Sequence, residues 1–162
     1  LVEHLYAVGK SMGSDLDGVA SNTPSFFVWA IRDSYTAPLQ RVQIIKGYVD
    51  LNGSPQEQVF DVACSDGGSP DPVTYRCPDN NAKVDIDNCA ISQDVGDAEL
   101  KAFWSDPTFE VDQRAFYYVR ALENPTCRWS TWDAIRNNVE PRPDMPKTIQ
   151  ERVWSSPIHY IP

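Results

Sequence analysis

Histidine is almost absent: the 162 residues hold only His4 and His159. A polynuclear metal centre or a Ser-His-Asp relay needs histidines beside other ligands or a nucleophile, and neither His has such company in the sequence. His159 alternates with Ile158 and Tyr160 and reads as a surface or rim histidine. No Gly-x-Ser-x-Gly elbow occurs, and "GKSMGSD" lacks the Gly-x-x-x-x-Gly-Lys-Ser/Thr spacing of a phosphate-cradling loop. No run of about 18 apolar residues exists, so no segment reads as a membrane span. Basic residues are also few, 14 Lys and Arg against 23 Asp and Glu, for a formal charge of −9. A surface of that sign repels phosphate backbones and anionic bilayers, so nucleic acid and membranes are not expected partners.

What the chain has in quantity is proline, thirteen residues, and aromatics at 11%. Hydrophobic residues make up 41%, enough for a packed core in one domain. Turn steps such as Asn52-Gly53 punctuate apolar runs, a pattern suited to strands rather than a bundle. "PSFFVWAIRD" (24–33) is apolar on both alternating sets and reads as a buried strand. "QRVQIIKGYVDLNGSPQEQVFDVACSD" reads as a hairpin, with Phe60, Val62 and Cys64 on one face and Asp61 on the other. "KVDIDNCAIS" reads as a short edge strand with Asp85 and Asp87 outward. "GDAELKAFWSDP" places Leu100, Phe103 and Trp104 at helical spacing and predicts a short helix.

"RAFYYVRALENP" (114–125) is a second clear strand, with Phe116 and Tyr118 opposite Ala115, Tyr117 and Val119. In "STWDAIRNN", Ser130-x-x-Asp133 resembles a capping box, and Thr148-x-x-Glu151 is positioned to cap one further helical turn. The closing "RVWSSPIHYI" is expected beside 114–122, with Pro157 forcing an edge or a bulge. The expected fold is all-β, an immunoglobulin-like antiparallel β-sandwich with one or two short helices. Residues 1–23 read as a flexible lead-in from a missing N-terminal region, and 24–162 as the sandwich domain.

Cys64, Cys77, Cys89 and Cys127 lack Cys-x-x-Cys pairs and nearby His, which disfavours zinc. Two disulfides in an oxidising compartment fit better, although free buried cysteines remain the alternative. Of three possible pairings, Cys64–Cys77 with Cys89–Cys127 is preferred, because the first would staple the Gly/Pro-rich loop 65–80 between its own ends. Sequence alone does not choose among them. Asp15, Asp17, Asp61, Asp85, Asp87 and Asp97 are acid–base candidates, none singled out from a generally acidic surface. "SDLDG" (14–18) and "VDIDN" (84–88) space oxygen ligands as a structural calcium would need, against the ordinary reading of Asp in turns. Neither completes an EF-hand loop. Arg128, Trp129 and Trp132 form a possible sugar-stacking platform, although tryptophans three apart on a helix more often cover a core edge.

The blocks "SMGSDL", "LQRVQIIKGYVD…NGSPQEQVFDVA", "DPTFEVDQRAFYYVRALENPTCRWSTWDA" and "TIQERVWSSPIHY" resemble, in order, the C-terminal end of a bacterial family, domain of unknown function 3604. The resemblance implies a longer, secreted polypeptide. Its N-terminal part would resemble the metal-dependent phosphoesterase domain shared with polymerases and histidinol phosphatase. The His- and Asp-rich metal motifs of that domain do not occur here, so no catalytic residue or cofactor is carried over. The cysteines match the cysteine-bearing version of the family, which supports the disulfide reading without settling the pairing. The expectation is a periplasmic or extracellular chain acting as the C-terminal accessory portion of a metal-dependent hydrolase. Its partner would then be the N-terminal domain of the same polypeptide. A glycan- or surface-ligand-binding module is the alternative.

Overall fold

The computed structural model describes residues 2–17 and 23–162. The elements run α1 (Val2–Val8), β1 (Asp15–Asp17), β2 (Ser25–Ile31), β3 (Leu39–Val49), β4 (Pro55–Cys64), β5 (Glu99–Ser105), β6 (Ala115–Glu123), β7 (Thr126–Cys127), α2 (Trp129–Arg136), β8 (Thr148–Ile149), β9 (Arg152–Trp154) and β10 (Ile158–Ile161). The fold is an all-β sandwich with two short helices. A large sheet in the order β1-β10-β6-β3-β4, with β9 also on β6, faces a small sheet of β2 and β5. β7 and β8 form a separate two-stranded ladder. One pair departs from the expected antiparallel arrangement: β1 lies parallel to β10. The lead-in segment is therefore not all loop, since it contributes α1 and a strand of the large sheet.

The β3–β4 hairpin turns where expected, with Gly53 at φ +78°, a conformation only glycine adopts without strain. β4 carries a bulge: Val42 faces Ala63 but Gln43 faces Asp61, which leaves Val62 as the extra residue. Phe60 and Ala63 both turn inward and are buried, and Val62 packs against the same core. The expected Phe60/Val62/Cys64 alternation therefore holds as far as Val62 and is interrupted by the bulge before Cys64, which pairs with outward Arg41. The core gathers Val42 and Ile44 of β3, Tyr117 and Ala121 of β6, Tyr160 of β10, and Val28 and Leu100 of the small sheet. Phe60 is completely buried, and its ring lies 4.9 Å from that of Trp104. A fully buried side chain of this size stabilises by about 1.5–3 kcal/mol.

Several expectations from the sequence are corrected. "ELKAFWS" is β5, not a helix: Leu100, Ala102 and Trp104 alternate inward while Lys101 and Phe103 face out, so the helical spacing of Phe103 is coincidental. β2 is buried on one face only, and Trp29 and Ile31 are exposed. "KVDIDNCAIS" is a turn closed by the single bridge Val84–Ile91. In it the Asp85 carboxylate accepts the Asp87 N–H and the Asn88 amide, so local side-chain bonds outcompete a ladder. α2 forms, but its N-cap is Arg128 and no side chain caps it. Residues 148 and 149 are extended in β8. The closing segment does run along β6, in two pieces separated at Ser155–Pro157. β9 pairs with Arg120–Leu122, and β10 pairs with Ala115–Tyr117. No helix among the described residues is long and apolar enough to cross a membrane.

Candidate functional site

Both disulfides pair as preferred, Cys64–Cys77 and Cys89–Cys127. Bridges of this kind persist in oxidising surroundings, in keeping with an extracellular or periplasmic compartment. Beyond them, polar groups gather in three places.

The first lies inside the sandwich, and sequence reasoning missed it. Lys46 sits in β3 among apolar neighbours and is 1% exposed. Its ammonium donates to the Thr108 carbonyl at 2.8 Å and reaches Asp106 at 2.7 Å. The Asp106 carboxylate also accepts the Tyr117 hydroxyl at 2.7 Å and the Thr108 N–H at 2.8 Å. Burial alone would raise the Asp106 carboxyl, but the bonds from Lys46, Tyr117 and Thr108 outweigh it and hold the group below its ordinary value. Burial, together with the Asp106 bond and charge, pushes the Tyr117 phenol far upward, so it stays a neutral donor. Every member is satisfied, which suits a structural network rather than a reacting one.

The second and third lie on the outer face of the large sheet. Strand register sets one row across it: Glu57 beside Gly47, Gly47 beside Phe116, Phe116 beside His159, and His159 beside Asp15. A Cβ on Gly47 would overlap the Phe116 ring, so glycine is what lets the ring lie across β3. The rings of Tyr118, Phe116 and His159 follow one another, Tyr118 and Phe116 stacked at 6.3 Å and Phe116 6.0 Å from His159. An open groove of about 550 Å³ runs here, largely apolar, with Asp15, Glu57, Arg114 and His159 among its lining. His159 is thus an exposed rim residue, as expected, yet it stands in a groove with two acids. The three are strung along the row rather than converged on a point, and no hydrogen bond joins them.

Further along the same face, Arg41 and Gln43 of β3, Asp61 of β4 and Arg120 of β6 meet Arg76 from the loop stapled by Cys64–Cys77. They line an open pocket of about 270 Å³. Asp61, expected to point away from the core, does so, but it is only 4% exposed because the stapled loop covers it. Its carboxylate accepts the Gln43 amide at 2.6 Å and the Cys77 N–H at 2.7 Å. These arginines lie at positions 41, 76 and 120, so no sequence motif groups them.

The remaining candidates stay apart. Trp129 is 75% exposed and Trp132 half-buried at one end of α2. It is Arg136, not Arg128, that lies against both rings, at 5.9 and 5.4 Å. Asp97 accepts the Asp66 N–H, and Asp85 and Asp87 belong to the turn described above. His4 is exposed on α1. Of the "SDLDG" stretch, Gly18 and the Asp17 side chain lie outside the described residues. Among the described residues no three His, Cys, Asp or Glu side chains group to hold a metal.

Fold and sites together define a two-layer all-β domain with two surface sites on the outer face of its large sheet. Over residues 1–162 the chain matches the family described as "Protein of unknown function (DUF3604)", and it belongs to that family. Neither the curated proteins nor the solved structures contain a match to it.

Proposed function

We propose that this chain is an accessory β-sandwich of a larger secreted protein, packing through the small sheet on the preceding, hydrolase-like part of the same polypeptide. The observation that carries this reading is the outward face of β2 and β5. Phe27 pairs with Phe103 across the strands, and Trp29 and Ile31 continue the surface. Trp29, Ile31 and Phe103 are 45%, 67% and 63% exposed. Contiguous apolar surface on a two-stranded sheet is costly to leave in water and marks a contact surface. The charged residues opposite, Glu99 and Lys101, are paired with each other at 2.8 Å, which keeps the face nearly neutral. The longer polypeptides implied by the family resemblance supply the covering part. With that face covered, the outer face of the large sheet would stay open and could wall a cleft.

Phe103→Glu tests the packing. In the full-length polypeptide it should lower the melting temperature of the preceding domain and speed its proteolysis. In residues 1–162 alone it should cost no more than about 1.5 kcal/mol, the loss of the cross-strand ring pair with Phe27. A full-length variant as stable and as protease-resistant as the parent would overturn the proposal.

A second reading, glycan or surface-ligand binding, is favoured by the exposed Trp129 with Trp132 and Arg136 beside it, an apolar face with a polar edge that suits a sugar ring. Trp129→Ala should then abolish retention of the protein on insoluble polysaccharides. Equal retention of parent and variant, or none by either, removes this reading.

A further inference from the structure

We propose that the open pocket between Arg41, Arg76 and Arg120 is a binding site for a doubly charged tetrahedral oxyanion, free or as the terminal group of a larger molecule. Three guanidiniums and one carboxylate, Asp61, leave a local charge of +2 in a chain whose formal charge is −9. With acids in excess, basic side chains have many chances to find a carboxylate, yet these three share a single one. That carboxylate does not hold them closely. Arg76 Nη1 is 3.5 Å from Asp61, and Arg41 Nε is 4.0 Å away, outside hydrogen-bond distance.

Asp61 does not need them either, since Gln43 and the Cys77 N–H already donate to its two oxygens. Gln43 in turn accepts the Arg120 Nε–H at 2.7 Å, so the amide is locked between Arg120 and Asp61. Each guanidinium brings five donors. Within the described residues only Arg120 Nε and Arg76 Nη1 make a hydrogen bond, and Arg41 Nε is buried with no partner at all. A cluster that served only to bury Asp61 would close these distances and use these donors. Planar donors left open round a pocket of about 270 Å³ suit an oxyanion, which takes two N–H groups from each arginine.

The frame is also rigid. Arg41 and Arg120 project from adjacent strands of one ladder, and Arg76 is anchored through the neighbouring Cys77 by its bridge to Cys64. The backbone then needs no ordering when a ligand enters, and only the Arg41 and Arg76 side chains have to be fixed. The pocket is open to solvent, so it can hold the anionic group with some water while the organic part of a larger ligand extends over the sheet face. Net charge of the whole chain does not forbid this, because salt screens the distant acids beyond about 10 Å.

Titration calorimetry on the disulfide-intact protein at pH 7.5 and fixed ionic strength tests the site, with inorganic phosphate, inorganic sulfate, methyl phosphate and acetate as probes. One-to-one saturable binding of the dianions, and weaker binding of acetate, is expected. Methyl phosphate bound as tightly as inorganic phosphate assigns the site to an ester group, and clearly weaker binding assigns it to the free ion. Arg41→Gln and Arg76→Gln should each weaken binding about tenfold or more, the usual loss of a charge-assisted bond. The control Arg142→Gln, which removes only a surface pair with Asp144, should bind as the parent does. Because Arg76 is half exposed, its variant keeps the fold even if an Arg41 variant does not. No saturable binding of any dianion, or undiminished binding by Arg76→Gln, overturns the proposal.

Discussion

Lys46→Met, with Asp106 left in place, is expected to cost about 3–5 kcal/mol in denaturant unfolding, the usual penalty for stranding one member of a buried ion pair. Asp106 would keep the Tyr117 and Thr108 donors but lose the cation that balances its charge 2.7 Å away. Adding Asp106→Leu to Lys46→Met should recover much of that loss, because a buried pair replaced by apolar residues is often neutral. A single variant as stable as the parent would show that the pair contributes nothing. The pH dependence follows from the same geometry. The carboxyl of Asp106 is held below its ordinary value, so its contribution is fully present above about pH 4 and is lost as pH falls through the lower folded value. Tyr117 is shifted the other way: its contribution is fully present below about pH 10 and is lost as pH rises beyond that. Asp106→Asn should therefore begin less stable at neutral pH and fall less steeply into acid. The carboxylates Asp50, Asp66 and Asp71, also lowered by hydrogen bonds, keep some acid slope in the variant.

Lys46 was also the readable clue to this network, a lone charge within "VQIIKGYV" that could be neither solvated nor left unpaired. Its partner was not readable, since Asp106 lies 60 positions on and is one of many acids. The same division runs through the fold. β3, β4 and β6 are long and bounded by strong turns, so alternation and Asn52-Gly53 identify them. β5 is not legible because Phe103 faces outward on a strand whose small sheet has an apolar exterior. A short period-2 segment with apolar residues on both sides can mimic a helix. Asp61 could be placed opposite Phe60 but not in a pocket, because burial there is set by the stapled loop. The capping patterns at Ser130 and Thr148 failed where tertiary context decided: the Thr131 hydroxyl donates to the Lys147 carbonyl, tying α2 to the chain just before β8. Neither outer-face site has a sequence signature, because strand register assembles both from residues far apart in the chain.

Removing the two bridges one at a time should separate their roles. Cys89–Cys127 closes 38 residues and Cys64–Cys77 closes 13. On the chain-entropy account, their loss costs about 4 and about 3 kcal/mol respectively, with the longer loop the larger. The first figure is a large fraction of the 5–15 kcal/mol typical of a domain. Residues 82–98 contain no regular strand, and the Val84–Ile91 bridge is internal to the segment. Their hydrogen bonds to the rest of the described residues sit at the two ends, from Ala82 to Asn80 and from Val95–Ala98 to Asn124, Asp66, Leu39 and Arg32. With Cys89 freed, that segment should exchange its amides faster than the large sheet does, and Cys89→Ala/Cys127→Ala should unfold at lower denaturant. Cys64→Ala/Cys77→Ala should be less damaging to stability but more damaging to the arginine pocket, because Arg76 and the Cys77 N–H are set by that bridge. Calorimetry on the two double variants therefore tests both conclusions. Oxyanion binding should persist without Cys89–Cys127 and weaken without Cys64–Cys77. Equal stability of the first variant and the parent would refute the loop-closure argument, and equal binding by the second would show that the loop holds Arg76 without its staple.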